Sequence, residues 1–258
     1  MSDTAAQHLW QAFQNNQATT PVRELLPEND IEAAYATQRA FNQLRLDDGQ
    51  RLVGRKSGAT NPTAMAAMEL NGPVSGLLFD VMDVPNRGEI PANRVIHPRI
   101  EGEIAFVMGE TLDFEAIGMA DVMRAVDFVM PAIEIVDART ENWGAKGIDL
   151  VADNVSASHF TLGHKVQLLD QFDVSTAKAD IRVNGESVAQ GNGANVLGSP
   201  LNSLCWLANQ MVAHGTPISE GDVILSGSLG PMVPVNKGDL VEVEIEGAGM
   251  VSVAFAAE

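Results

Sequence analysis

Residues 130–139, MPAIEIVDAR, constrain this chain more than any other stretch, because they set a carboxylate inside a strand that is apolar on both faces. Alternate residues of a strand share a face, so Glu134 sits with Ala132 and Val136 while Ile133 and Ile135 fill the other side. Such a strand is covered by other layers. An unpaired carboxylate within it costs several kcal/mol or takes up a proton. A lysine or arginine partner is one remedy; a divalent cation is another.

A second segment raises the same problem. HPRIEGEIAFVMG (97–109) places Glu101 and Glu103 two apart on one face, followed on that face by Ala105 and Val107, with Ile104, Phe106 and Met108 opposite. The chain holds its own contrast in DLVEVEIEGAG (239–249), where Val241, Val243 and Ile245 alternate with Glu242, Glu244 and Glu246 in the manner of a half-exposed strand. After Glu103 both faces turn apolar, so this strand enters a core. If Glu101, Glu103 and Glu134 meet around a cation, three oxygen ligands suit Mg²⁺ or Mn²⁺ rather than Zn²⁺.

Composition narrows what such a site could serve. With 258 residues, 45% hydrophobic and 19% charged, the chain can bury a full core. Its net charge of −18 excludes a basic nucleic-acid surface. An anionic substrate would therefore need local positive charge from a metal or a lysine. Cys205 is the single cysteine, which permits no internal disulfide. No apolar run approaches membrane-spanning length, and the first residues lack a secretory pattern, so a cytoplasmic protein is expected.

Along the chain, residues 1–50 read as a helical region, with Leu9, Trp10 and Phe13 on one face and Asp30 capping a second helix. Residues 51–258 read as a mixed-β domain carrying two inserted helices, one over 119–129 leading into the Glu134 strand and one over 198–215 with Ser199 as N-cap, Pro200 in its first turn and Gly215 as C-cap. Asn184-Gly185 between alternating runs predicts a hairpin. Helices first and then mixed strands give an α+β fold.

Further candidates lie in loops. Lys56 stands between Gly54 and Gly58 in GRKSG, where glycines permit close approach of a ligand. Asp80 follows an apolar run and is a candidate pocket residue, whereas Asp83 precedes a turn. Ser156 lies in the turn-like ADNVSAS, and Ser226 and Ser228 end an apolar strand in LSGSLG, where hydroxyls can meet a substrate carboxylate. The five histidines share no metal-ligand spacing.

Taken in order, GRKSGATNPTAM, HPRIEGEIAFVMG, MPAIEIVDAR, VADNVSASHFTLG and GDVILSGSLGPMVPVNKGD resemble the 2-hydroxypentadienoate hydratases and 4-oxalocrotonate decarboxylases of the fumarylacetoacetate hydrolase superfamily. The likeness runs from about residue 50 to the C-terminus. It implies the superfamily's mixed β-roll core, Mg²⁺ or Mn²⁺ on Glu101, Glu103 and Glu134, an active-site Lys56, and a homo-oligomer. It also implies a lyase of aromatic catabolism that adds water to a 2-hydroxy-2,4-dienoate, with Lys56 and Asp80 as candidates for proton transfer and orientation. GRKSGATNP is closer to the hydratases. The alternatives are decarboxylation of a vinylogous 2-oxo diacid and a non-catalytic assembly partner of such an enzyme. Ser57, Ala59 and Ala138 depart from the family pattern and bear on the substrate tail.

Overall fold

The computed structural model describes residues 2–258. Two helices open the chain, α1 (Ser2–Asn15) and α2 (Ile31–Asp47), the second capped by the Asp30 carboxylate accepting from the Ala33 N–H. Next come β1 (Leu52–Gly58), α3 (Pro62–Ala67), β2 (Val74–Phe79), β3 (Gly88–Ile90), β4 (Arg99–Met108), α4 (Met119–Ala125) and β5 (Val126–Val136). The remainder is α5 (Gly147–Ala152), β6 (Ala157–Leu162), β7 (Lys178–Val183), β8 (Glu186–Asn192), α6 (Pro200–Ala213), β9 (Val223–Leu225), β10 (Val233–Pro234), β11 (Leu240–Ile245) and β12 (Gly249–Phe255).

The strands form two sheets. One has the order β2-β1-β9-β4-β5-β6 with β10 added beside β4, and the other the order β3-β12-β11-β7-β8. Pairing is antiparallel except for β1 with β9 and β12 with β3. The sheets face one another across the largest core, where Ile104, Phe106, Ile133 and Ile135 meet Ile181, Val241, Val243 and Val253. This is the apolar face opposite the glutamates, as the alternation of 97–109 requires. The predicted hairpin forms between β7 and β8, with Asn184 and Gly185 both at positive φ, 54° and 84°, as its turn demands. β11 keeps Val241, Val243 and Ile245 buried and leaves Glu244 and Glu246 exposed.

The two sheets approach closely at Gly102. A Cβ there would lie 3.0 Å from Val243 Cγ1 and 3.3 Å from Ile181 Cγ1. The glycine between the two glutamates is thus a packing residue that lets the second sheet reach β4. On the other side, α1 and α2 join a core of Leu9, Tyr35 and Phe41 with Val74, Val151, Ala152 and Val155. Among the described residues, no helix is long and apolar enough to cross a membrane.

Candidate active site

β4 and β5 run antiparallel in a register that sets Glu101 directly opposite Glu134 and Glu103 opposite Ala132. Cross-strand partners project from the same face, so all three carboxylates converge. Their oxygens come within 4.8 Å of one another; Glu103 and Glu134 are buried and Glu101 is half-buried. β1 lies two strands from β4 across β9, and it carries Lys56 into the same space. Lys56 is 1% exposed, ion-paired with Glu134 and donating to the Val155 carbonyl at 3.1 Å.

Electrostatics set the requirement of this cluster. Burial pushes all three carboxyls above the ordinary range. Glu101 rises to about 7, helped by the Glu134 charge and opposed by Lys56. Glu103 is raised well above the ordinary range, by burial and then by its two acidic neighbours, against Lys56 and the Gly227 N–H. Burial also raises Glu134, with the Lys56 ammonium opposing it. One ammonium faces three carboxylates. Glu103 Oε1 and Glu134 Oε2 are buried with no hydrogen-bond partner among the described residues. Unsatisfied, closely set hard oxygens beside excess negative charge fit a divalent cation of the Mg²⁺ kind.

The loop after β9 completes one wall. Ser226 N–H donates to the Ile104 carbonyl, Gly227 N–H to Glu103 Oε2 at 2.8 Å, and Leu229 N–H to the Gly102 carbonyl, so the loop tracks the glutamate strand residue by residue. Gly227 has φ of +103°, and a Cβ there would lie 2.5 Å from Thr60 Oγ1. Ser226 Oγ donates to the Gly227 carbonyl and Ser228 Oγ to the Gly230 carbonyl. Both hydroxyls hold the loop's own shape.

A second wall is the turn 154–156. Asn154, Val155 and Ser156 all have positive φ, 52°, 54° and 53°, a conformation that is costly for a β-branched valine. The turn is held from both ends. Asn154 Oδ1 accepts from Leu77 N–H and Asn42 Nδ2, and its Nδ2 donates to the Leu77 carbonyl. Asp153 binds Arg139. The strain turns the Val155 carbonyl to Lys56, and it leaves Ser156 Oγ buried without a partner.

The structure thus brings together Lys56, Glu101, Glu103 and Glu134, bounded by the segments of Ser156, Ser226 and Ser228. Asp80 lies apart from this cluster. It lies just past β2 at the far end of the β1–β2 pairing, four residues beyond the Gly76 that faces Lys56, or about 13 Å along the strand. Its carboxylate accepts from Arg51 N–H and pairs with Arg51 Nε at 3.0 Å. An apolar run before an aspartate is also what a strand running out into a surface turn looks like. Two groups escaped sequence reasoning, the Val155 carbonyl and the Gly227 N–H. Backbone groups leave no letter in the sequence, and the Ser-Gly-Ser of 226–228 was the only available sign.

The fumarylacetoacetate (FAA) hydrolase C-terminal family model matches residues 70–255. The chain belongs to the fumarylacetoacetate hydrolase family. The family match begins after Lys56, but relatives extend the likeness across nearly the whole chain. It is 43% identical to the TodF product hydratase of Pseudomonas putida, over 98% of this chain and 94% of that protein. It is 40% identical to 2-keto-4-pentenoate hydratase 1 of Dechloromonas aromatica, over 99% and 97%. Among solved structures, 4-oxalocrotonate decarboxylase from Pseudomonas putida G7, complexed with magnesium and adipate, superposes with a TM-score of 0.94 at 35% identity, over 98% and 97% of the two chains. A structure of the same enzyme with calcium and acetate superposes at 0.92. The fold of this family member is thus that of an enzyme observed with a divalent metal.

Proposed function

We propose that the protein is a metal-dependent hydro-lyase that adds water to a 2-hydroxy-2,4-dienoate, or its 2-oxo tautomer, to give a 4-hydroxy-2-oxo acid in aromatic catabolism. The observation that carries this is the Lys56 ammonium buried against the three convergent carboxylates, in a chain about 40% identical over its length to 2-keto-4-pentenoate hydratases. Glu101, Glu103 and Glu134 would hold Mg²⁺ or Mn²⁺. When bound, such a cation supplies positive charge that stabilises the oxygen at C2 as the dienol becomes a ketone.

The chain's own residues do the rest. Lys56 holds a proton at Nζ, fixed in direction by Glu134 and the Val155 carbonyl, and delivers it to the terminal carbon of the dienoate. The Gly227 N–H orients Glu103 and keeps that carboxylate from rotating away. Ser156 Oγ, which is buried with no hydrogen-bond partner among the described residues, is our candidate to bind the substrate or the added water. The Ser226–Ser228 loop positions substrate through its backbone shape. Asp80 has no part in this scheme.

Decarboxylation is the second reading, favoured by the close superposition on 4-oxalocrotonate decarboxylase. A diacid would need a cation for its far carboxylate. The two buried arginines nearest in sequence are committed elsewhere. Arg139 donates through Nη1 to Asp153 and through Nη2 to the Ala157 carbonyl, and Arg55 pairs with Asp222 and donates to the Thr216 and Pro217 carbonyls. We therefore favour the hydratase, acting on a monoacid with a short apolar tail. We place the enzyme in the cytoplasm as a homo-oligomer, consistent with its lone cysteine and its family.

The deciding experiment is turnover of 2-hydroxypenta-2,4-dienoate after exhaustive chelation and again with Mg²⁺ or Mn²⁺ restored. The expected result is loss and recovery of 4-hydroxy-2-oxo acid without CO₂, with Glu134→Gln losing both metal binding and rate. Full activity without metal would overturn the site. Stoichiometric CO₂ from 2-oxohex-3-enedioate, with no hydration of the monoacid, would select the decarboxylase.

A further inference from the structure

A second cavity, of 430 Å³, opens between the ends of α1 and α2, the segment 93–96 and the start of β6. That volume lies within the range of small-molecule sites. It shares no residue with the glutamate cluster. Its polar wall carries Arg45, Arg94 and Arg139, and its apolar wall Phe13, Val81 and Ile96.

Arg45 is the unusual member. It is 1% exposed, with its guanidinium carbon 4.5 Å from the Phe13 ring centre and 4.6 Å from that of Phe79. Ring contacts occupy the guanidinium face and leave its in-plane N–H groups for a polar partner. Nε donates to Gln50 Oε1 at 2.8 Å, a neutral acceptor, while Nη1 is buried and has no partner among the described residues. A buried guanidinium without a counter-anion is costly, which leaves this one incomplete.

The surroundings deepen the deficit. Arg139 adds positive charge, although its own N–H groups are taken by Asp153 and Ala157. Arg94 is exposed and, among the described residues, forms no ion pair. The acids on the wall are engaged: Asp80 with Arg51, Asp137 with the N–H groups of Ile96 and His97, and Asp48 with the Gln50 amide. What is missing is an acceptor flat enough to meet the edge of a guanidinium, with an apolar body to lie along Phe13, Val81 and Ile96. A carboxylate matches a guanidinium edge through two parallel hydrogen bonds.

We propose that this cavity is a binding site for a small organic carboxylate, held by the edge of Arg45 and by Arg94 and separate from the glutamate cluster. The floor of the site touches the catalytic wall, because Arg139 anchors Asp153 at the start of the strained turn that presents the Val155 carbonyl to Lys56.

The test is ¹⁹F NMR titration of 4-fluorobenzoate into the Mg²⁺-loaded full-length protein at constant ionic strength. The parent should bind it saturably, and Glu134→Gln, which disables only the glutamate cluster, should bind equally well. Arg94→Glu, at an exposed position, should weaken binding at least about tenfold, the scale of a lost charge-assisted contact. Arg45→Gln should abolish it; if that variant does not fold, Arg94→Glu decides alone. Undiminished binding in Arg94→Glu, loss of binding in Glu134→Gln, or no saturable binding by the parent would each overturn the proposal. Displacement of the probe by equimolar inorganic phosphate would also overturn it, by assigning the site to phosphate.

Discussion

Lys56 and His159 are both buried titratable side chains, and their surroundings give them opposite consequences. Lys56 is enclosed with three carboxylates, so Lys56→Met removes the only positive charge that the described protein residues place among them. Turnover should fall on the order of 10²-fold or more, since a positioned proton donor contributes roughly that much. Melting temperature should drop in the metal-free protein, where a buried carboxylate loses its counter-charge, and much less with Mg²⁺ present. A folded variant as fast as the parent would remove Lys56 from the mechanism. His159 has no anionic partner: burial, then Arg94, Arg45 and Arg139, hold it down to about 3 from an ordinary 6.5. Between those values the unfolded chain binds a proton that the native chain does not, so stability falls as pH drops through that window. His159→Gln should flatten the decline in melting temperature between about pH 6.5 and 4. An unchanged slope would count against this linkage.

Among the elements, the loop 226–230 is the one whose backbone does chemical positioning. Gly227→Ala would bring a Cβ against Thr60 and would strain a residue at φ +103°, so the loop must shift away from β4. The N–H bond to Glu103 would be lost while the strands themselves remain paired. Metal affinity and turnover should both fall at least about tenfold with near-parental secondary structure, measured by calorimetry and circular dichroism. Retained affinity would show that Glu103 does not depend on this N–H. The strands were the most legible part of the sequence, because alternation reports burial directly. Glu101, Glu103 and Glu134 stood out as charges in apolar settings, and β4–β5 pairing brings those exceptions together. The turn 154–156 was opaque for the converse reason. Asn, Val and Ser at successive positive φ contradict local preference, and tertiary bonds from Leu77, Asn42 and Arg139 impose a shape that the residues themselves disfavour. Asp80, expected at a pocket, stands apart from the cluster, because one residue decides between a pocket lip and a surface turn, and periodicity does not resolve a single residue.

For the whole molecule, the 1–50 helices are distinct in sequence from the strand-rich remainder of the chain, yet in the structure they share a core with Val151 and Ala152 of α5 and Val155 of the 154–156 turn. A fragment beginning at residue 51 would expose that core and loosen the 154–156 turn. It should fail to reach a cooperative thermal transition; a 51–258 fragment that folds and hydrates substrate would refute this coupling. The order in which the site's parts leave the ribosome has a consequence of its own. Lys56, the glutamates of β4 and β5, the Val155 carbonyl and the Gly227 N–H come from five separated stretches, and the last is synthesised near the end of the chain. No early intermediate can hold all of them in place, because closing such long loops precedes any reward from the contacts they bring. The paired glutamates of β4 and β5 would therefore gain the N–H that fixes Glu103 only once the end of the chain has folded back beside β4.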